Sequence, residues 1–174
     1  MTDDDDTGHV GPAFEGESLE EAKAFVQHHL RDGVTCPCCG QLAKVYKRSI
    51  NSTMALALCL IYQHFAKNPD HAWVHIPQFL IQVKRDSTIA GGDVVKLRYW
   101  GLLERVVGER DDGSNRLGHY KITEIGKQFV LGKIAVPKYV YLYNQLLLRL
   151  SEEMTTIHEA LGDRFNFFEL MRST

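Results

Sequence analysis

The sequence has no apolar run long enough to cross a bilayer. Its longest, "MALALCLIY" from Met54 to Tyr62, is nine residues, against the roughly 20 that a spanning helix requires. The chain begins "MTDDDDTGH", acidic where a secretory signal would be basic. It also lacks a nucleophile elbow, a P-loop and a dinucleotide fingerprint, and Gly91-Gly92 reads as a turn rather than a phosphate cradle. These absences lead to the expectation of a cytoplasmic, non-enzymatic protein without a membrane partner. Cysteine is scarce, four residues in 174. In a reducing compartment such residues are metal ligands or free thiols more often than disulfides.

Net charge is nearly absent too, at −2, but its distribution is uneven. Residues 1–39 carry nine acids and two basic residues, a net of −7; residues 150–174 carry five and two, a net of −3. Residues 40–149 hold sixteen Lys/Arg against eight Asp/Glu, a net of +8. A basic middle between acidic ends, which the overall charge conceals, points to a polyanion partner, with a solvated mixed surface as the alternative.

The chain divides into four stretches by composition. Residues 1–16, with four consecutive aspartates and little to bury, read as a disordered acidic tail. Residues 17–48 hold a helix, opened by the capping box Ser18-x-x-Glu21 and stopped near Gly33, with Leu19, Ala22, Val26 and Leu30 on one face. A cysteine knuckle follows it. Residues 49–132 read as helix, short strand "WVHI", helix "PQFLIQVK", a turn at 86–92, helix, a hairpin around "DDGS", and the helix "EIGKQFVLG". Residues 133–174 are an α/β appendage: alternating Tyr139, Tyr141 and Tyr143 favour a strand, with an amphipathic helix as the alternative, Asn144-Gln145 is a candidate turn, and Thr156-x-x-Glu159 caps a further helix. Trp73, Trp100 and the three tyrosines are expected in the core and on sheet faces. His64, His71 and His75 are read as ordinary surface or core histidines. Cys59, inside an apolar helix, reads as a small buried hydrophobe.

Two motifs in the central stretch point to a family. "VVKLRYWGLLER" places Leu97 before Gly101-Leu102-Leu103-Glu104-Arg105, and "HYKITEIGKQFV" has the Tyr-x-Ile-Thr-x-x-Gly step. Together, at wing-length separation, they resemble winged helix-turn-helix domains such as those of MarR-like and PadR-like regulators. The flanks are similar to small uncharacterised phage and bacterial proteins. The resemblance covers about half the chain and implies an α+β fold with a winged-helix core. It also implies binding of double-stranded DNA in transcription regulation, through a recognition helix near 90–100 and a wing near 105–121. Val94 and Leu97 should then face the core, and Lys96, Arg98 and Tyr99 should approach DNA. Lys84 and Arg85 at the end of the preceding helix, Ser87 and Thr88 in the turn, Arg110 and Arg116 in the wing, and Lys121 on the second wing strand complete the expected contact set. "GGDVVKLRYW" departs from a typical base reader: it has few Arg, Asn or Gln side chains, and Asp93 repels phosphate. That favours the alternative, a winged helix that docks on a protein, as adaptor or host-factor binder, without DNA.

"TCPCCGQ" is the remaining chemical feature. Cys36-x-x-Cys39, with proline after the first cysteine and glycine after the second, resembles the CPxCG zinc knuckle, in which a tight turn brings two thiolates to one Zn²⁺ ion. Two further ligands are needed. His28, His29 or the same pair from a homodimer partner are the candidates; a metal-free knuckle and a thiol-redox pair are the alternatives. If the acidic tail screens the basic region, deleting residues 2–8 should raise affinity for random duplex DNA, measured by fluorescence anisotropy at low salt. Unchanged affinity would remove that role from the tail.

Overall fold

Ser18 opens α1 (Leu19–His29) through the expected capping box: its hydroxyl accepts the Glu21 N–H, and the Glu21 carboxylate accepts the Ser18 N–H at 2.9 Å. These bonds hold the Glu21 carboxyl below its ordinary pKa. Strands β1 (Val34–Thr35) and β2 (Leu42–Ala43) pair antiparallel on either side of the cysteine loop, and β3 (Tyr46–Ser49) follows. Asn51 caps α2 (Ser52–Lys67), accepting the Met54 N–H at 2.9 Å. Next come β4 (Val74–His75), α3 (Ile76–Val83) and α4 (Gly91–Val94), which tightens into 3-10 winding over Val95–Trp100. Strands β5 (Leu103–Arg105) and β6 (His119–Ile122) lead to α5 (Glu124–Val130). The chain continues through β7 (Val136–Pro137), β8 (Tyr139–Tyr143), β9 (Leu146–Leu150) and β10 (Met154–Thr155). It closes with α6 (Ile157–Leu161), a 3-10 turn over Gly162–Arg164, and α7 (Phe167–Arg172). The computed structural model describes residues 11–83, 91–106 and 118–172, and the class is α+β, as expected.

The chain forms two compact units. One takes the stretch up to Arg48 together with Tyr141–Arg149; the other takes Ser49–Val140 and the stretch from Leu150 onward. The residues read as one C-terminal appendage, 133–174, are therefore shared between the two. In the first unit Val26, Val34 and Ala43 form a small core, with Phe25, Leu30, Cys36 and Tyr143 packed on it. Leu19, expected on the buried face of α1, is instead exposed, because the small core is reached only from Ala22 onward. Strand β8 is the centre of a three-stranded sheet, flanked by β3 and β9. Its hairpin with β9 turns on Asn144 and Gln145, whose φ values of 47 and 62 match the left-handed pair that two-residue hairpin turns require.

The second unit is built around α2. Every residue from Met54 to Ile61 is buried. A helix apolar on all sides must be covered on all sides, and α4, α5, α6, α7 and β6 do this. Strands β4, β6 and β5 form a three-stranded antiparallel sheet in that order, with Val74 opposite Tyr120 and Leu103 opposite Ile122. The 3-10 segment ends at Gly101 (φ 69), where Gly101 donates to the Arg98 carbonyl and Leu102 to the Leu97 carbonyl, a left-handed cap that favours glycine. The expected turn at 86–92 lies largely outside the described residues, and the "DDGS" turn lies wholly outside them.

Thr123 ties sheet to helix. Its hydroxyl donates to the Gly101 carbonyl at 2.5 Å and accepts the Gly126 N–H at 2.9 Å, capping α5. Gly126 itself is held by space: a Cβ there would lie 2.2 Å from the Leu102 carbonyl oxygen. Thr123→Ala should lower unfolding free energy by about 1–2 kcal/mol. Gly126→Ala should cost about 3 kcal/mol or more, since the obstacle is backbone. Urea denaturation reads both, and a Gly126→Ala variant of wild-type stability would refute this account of the α5 junction.

Candidate nucleic-acid interface

The 91–100 segment is positioned by three buried side chains. Val94, Leu97 and Trp100 lie three apart, which in 3-10 winding stacks them on one face. Val94 and Leu97 are the expected core contacts. Trp100 joins them, its indole N–H donating to the Pro137 carbonyl at 2.6 Å. Val95, Lys96, Arg98 and Tyr99 are left half-buried on the other faces.

The described members of the expected contact set carry local partners. Lys96 Nζ lies 2.5 Å from Asp93 Oδ1. The Arg98 guanidinium lies over the Tyr99 ring, 4.7 Å from its centroid, and donates to the Tyr99 hydroxyl at 2.9 Å. Lys121, on β6, sits opposite Glu104 of β5 and pairs with it at 3.3 Å. Lys96, Arg98 and Tyr99 thus share one short segment, and Lys121 lies on the adjoining sheet. Lys84, Arg85, Ser87, Thr88, Arg110 and Arg116 lie outside the described residues.

Aromatic and histidine side chains meet one another beside β4 and at the end of α2. Trp73, expected in the core or on a sheet face, is 46% exposed and stacks on His119 of β6 with centroids 3.8 Å apart. His75 lies edge-on to His119, and its Nδ1 is buried without a hydrogen-bond partner among the described residues. A Cβ on Gly118 would lie 3.0 Å from the His75 ring. His64 and His71 share a hydrogen bond at 2.9 Å, formed because the Asn68-Pro69 turn folds the chain back at the end of α2. Burial, and then His71, hold the His64 imidazole below its ordinary pKa. The spacing of seven residues across a proline turn was the available signal. His71 also lines a cavity of about 440 Å³, together with Tyr62, Phe65, Pro69, Lys121 and Lys127 among others.

The cysteine stretch closes into a tight loop: Gly40 donates to the Cys36 carbonyl and Cys36 to that of Gln41. The Cys38 and Cys39 N–H groups point at the Cys36 sulfur and hold its thiol below the ordinary pKa. Cys36 is half-buried, while Cys38 and Cys39 are exposed. No group of three or more His, Cys, Asp or Glu side chains among the described residues could hold a metal. His29 packs on Phe25, and His28 lies edge-on to His29. Among the described residues, then, no third such side chain joins Cys36 and Cys39. No helix among the described residues is long and apolar enough to cross a membrane. The chain matches no family model, no curated protein and no solved structure.

The thiols give a direct test of these environments. Cys59 is fully buried and its thiol is pushed up to about 12 by that burial. Iodoacetamide near neutral pH should modify Cys36 fastest, because only thiolate reacts. Cys59 should react only on unfolding. Peptide mapping by mass spectrometry reads the order; Cys59 labelling in the folded protein would contradict its placement.

Proposed function

We propose that residues 49–132 form a winged-helix module that binds double-stranded DNA, with the 91–100 segment as its groove-facing element and β5–β6 as the wing strands. The observation that carries this reading is connectivity. The strand between the first and second helices, β4, pairs with the last strand, β6, and β5 lies beyond it. Helix, strand, helix, helix and two-stranded wing follow in that order. Residues 49–132 carry ten Lys/Arg against eight Asp/Glu, a net of +2 within the +8 of residues 40–149, and phosphate contacts by such cations would supply the sequence-independent attraction that dominates such binding.

The second reading, docking on a protein through the same helix, is favoured by one observation: Lys96 and Arg98 already have local partners, and the adjacent Val95 and Tyr99 are half-buried. A zinc-bound knuckle is a separate proposal, needing donors beyond Cys36 and Cys39 from outside the described residues or from a second copy.

Titration of random duplex DNA at low and moderate salt separates the two readings. The DNA reading expects affinity that falls steeply with salt. Lys96→Ala/Arg98→Ala should weaken binding at low salt and flatten the dependence of log K on log salt by about 1.8, if both side chains contact phosphate. Absence of binding at low salt would reject DNA as the partner and leave protein docking.

A further inference from the structure

The sheet β3–β8–β9 has two unlike edges. Strand β3 carries Lys47 and Arg48, the kind of charged side chain that blocks pairing with another chain. Strand β9 reads Leu-Leu-Leu-Arg-Leu, and no described strand lies on its outer side. Leu146, Leu147, Leu148 and Leu150 are 64, 42, 52 and 44% exposed. Together they leave in water about two whole leucine residues of apolar surface, an arrangement that single-chain sheets avoid. The strand's only charge is already committed within its own sheet: the Arg149 guanidinium lies 3.5 Å from the Tyr141 ring centroid.

We propose that this chain forms a homodimer by pairing β9 antiparallel with β9 of a second copy, about a twofold axis at Leu148. The sequence of the strand selects that occupant and that register. In antiparallel pairing, residues directly opposite project from the same face of the sheet. With the axis at Leu148, Leu146 faces Leu150 of the partner copy, Leu148 faces its own equivalent, and Leu150 faces Leu146. One face becomes an unbroken leucine ladder. On the other face Leu147 meets Arg149, so no like charges are opposed. A shift of one residue would bring Arg149 opposite Leu146 and break the ladder. A strand that matches itself in this way needs no foreign sequence to complete it, and pairing extends the sheet through both copies while closing both unguarded edges. The dimer holds whether or not the chain binds DNA.

Sedimentation velocity of the full chain tests this. The wild type should be a reversible dimer. Leu148→Lys places two ammonium groups against each other at the axis, and should raise the dimer dissociation constant by at least about tenfold. Leu148→Glu should do the same with carboxylates. Mixing the two variants should restore a dimer, because lysine then faces glutamate; circular dichroism of each variant alone checks that it is folded. A monomeric wild type would overturn the proposal and leave the edge to a different protein. A dimer indifferent to either substitution, or two folded monomeric variants that do not recombine, would overturn it equally.

Discussion

The structure depends on hiding α2. Eight consecutive residues, Met54 to Ile61, are buried, so this helix has no face it can leave in water. One layer cannot cover a cylinder, and the covering elements come from both ends of the later sequence: α4, α5 and β6 from the middle, α6 and α7 from the end. The last helix is fastened to α2 by a polar bond as well, since the buried Gln63 amide donates to the Leu170 carbonyl. That burial explains why the segment after β9 returns to the unit of α2 rather than forming a body of its own. It also explains the inert thiol of Cys59, which sits in the α2 interior as a small apolar side chain.

Local signals carried most of the secondary structure. Ser18, Asn51, Thr123 and Thr156 each cap the helix that follows, and a side-chain oxygen two or three residues from its target needs no tertiary partner to be recognised. The alternation along β8, with Val140 and Leu142 inward and the tyrosines half-exposed, favoured a strand over an amphipathic helix without deciding between them. Distant relations carried no such signal. Nothing in "WVHI" says that only Val74 and His75 will be strand, leaving Trp73 outside against His119 from 46 residues later. Nothing near Tyr143 says that it will pack on a core made by α1, β1 and β2. Such pairings are decided by which surfaces remain uncovered once the local elements exist, and that is a property of the whole chain.

The cysteines show the same limit at a site. The Cys-Pro-x-Cys-Gly spacing specifies a loop, and the loop is present, with N–H groups of Cys38 and Cys39 directed at the Cys36 sulfur. Spacing within a loop cannot supply donors from elsewhere. Backbone N–H groups around a sulfur stabilise thiolate whether or not a metal is bound. The loop therefore accounts by itself for the lowered pKa of Cys36, and a metal is a separate question of ligand count.

The internal pairings of the 91–100 segment bear on how it would meet DNA rather than whether it can. Both members of the Lys96–Asp93 pair are more than a third exposed, and such pairs contribute about 0–1 kcal/mol. Exchanging Asp93 for a phosphate is therefore not prohibitive, although the freed carboxylate would then repel the same phosphate. Winding is the stronger constraint. A 3-10 helix rises about 2.0 Å per residue and eclipses side chains three apart, so Lys96 lines up with Tyr99, and Val95 with Arg98. Each exposed ridge holds one cation and one apolar or aromatic group, and neither has the paired Asn, Gln or Arg forks that distinguish base edges. Under the DNA reading this segment suits phosphate contact and groove shape better than base-by-base discrimination. Specificity would then fall to elements beyond the helix, above all to the spacing that a second copy would impose on two such modules.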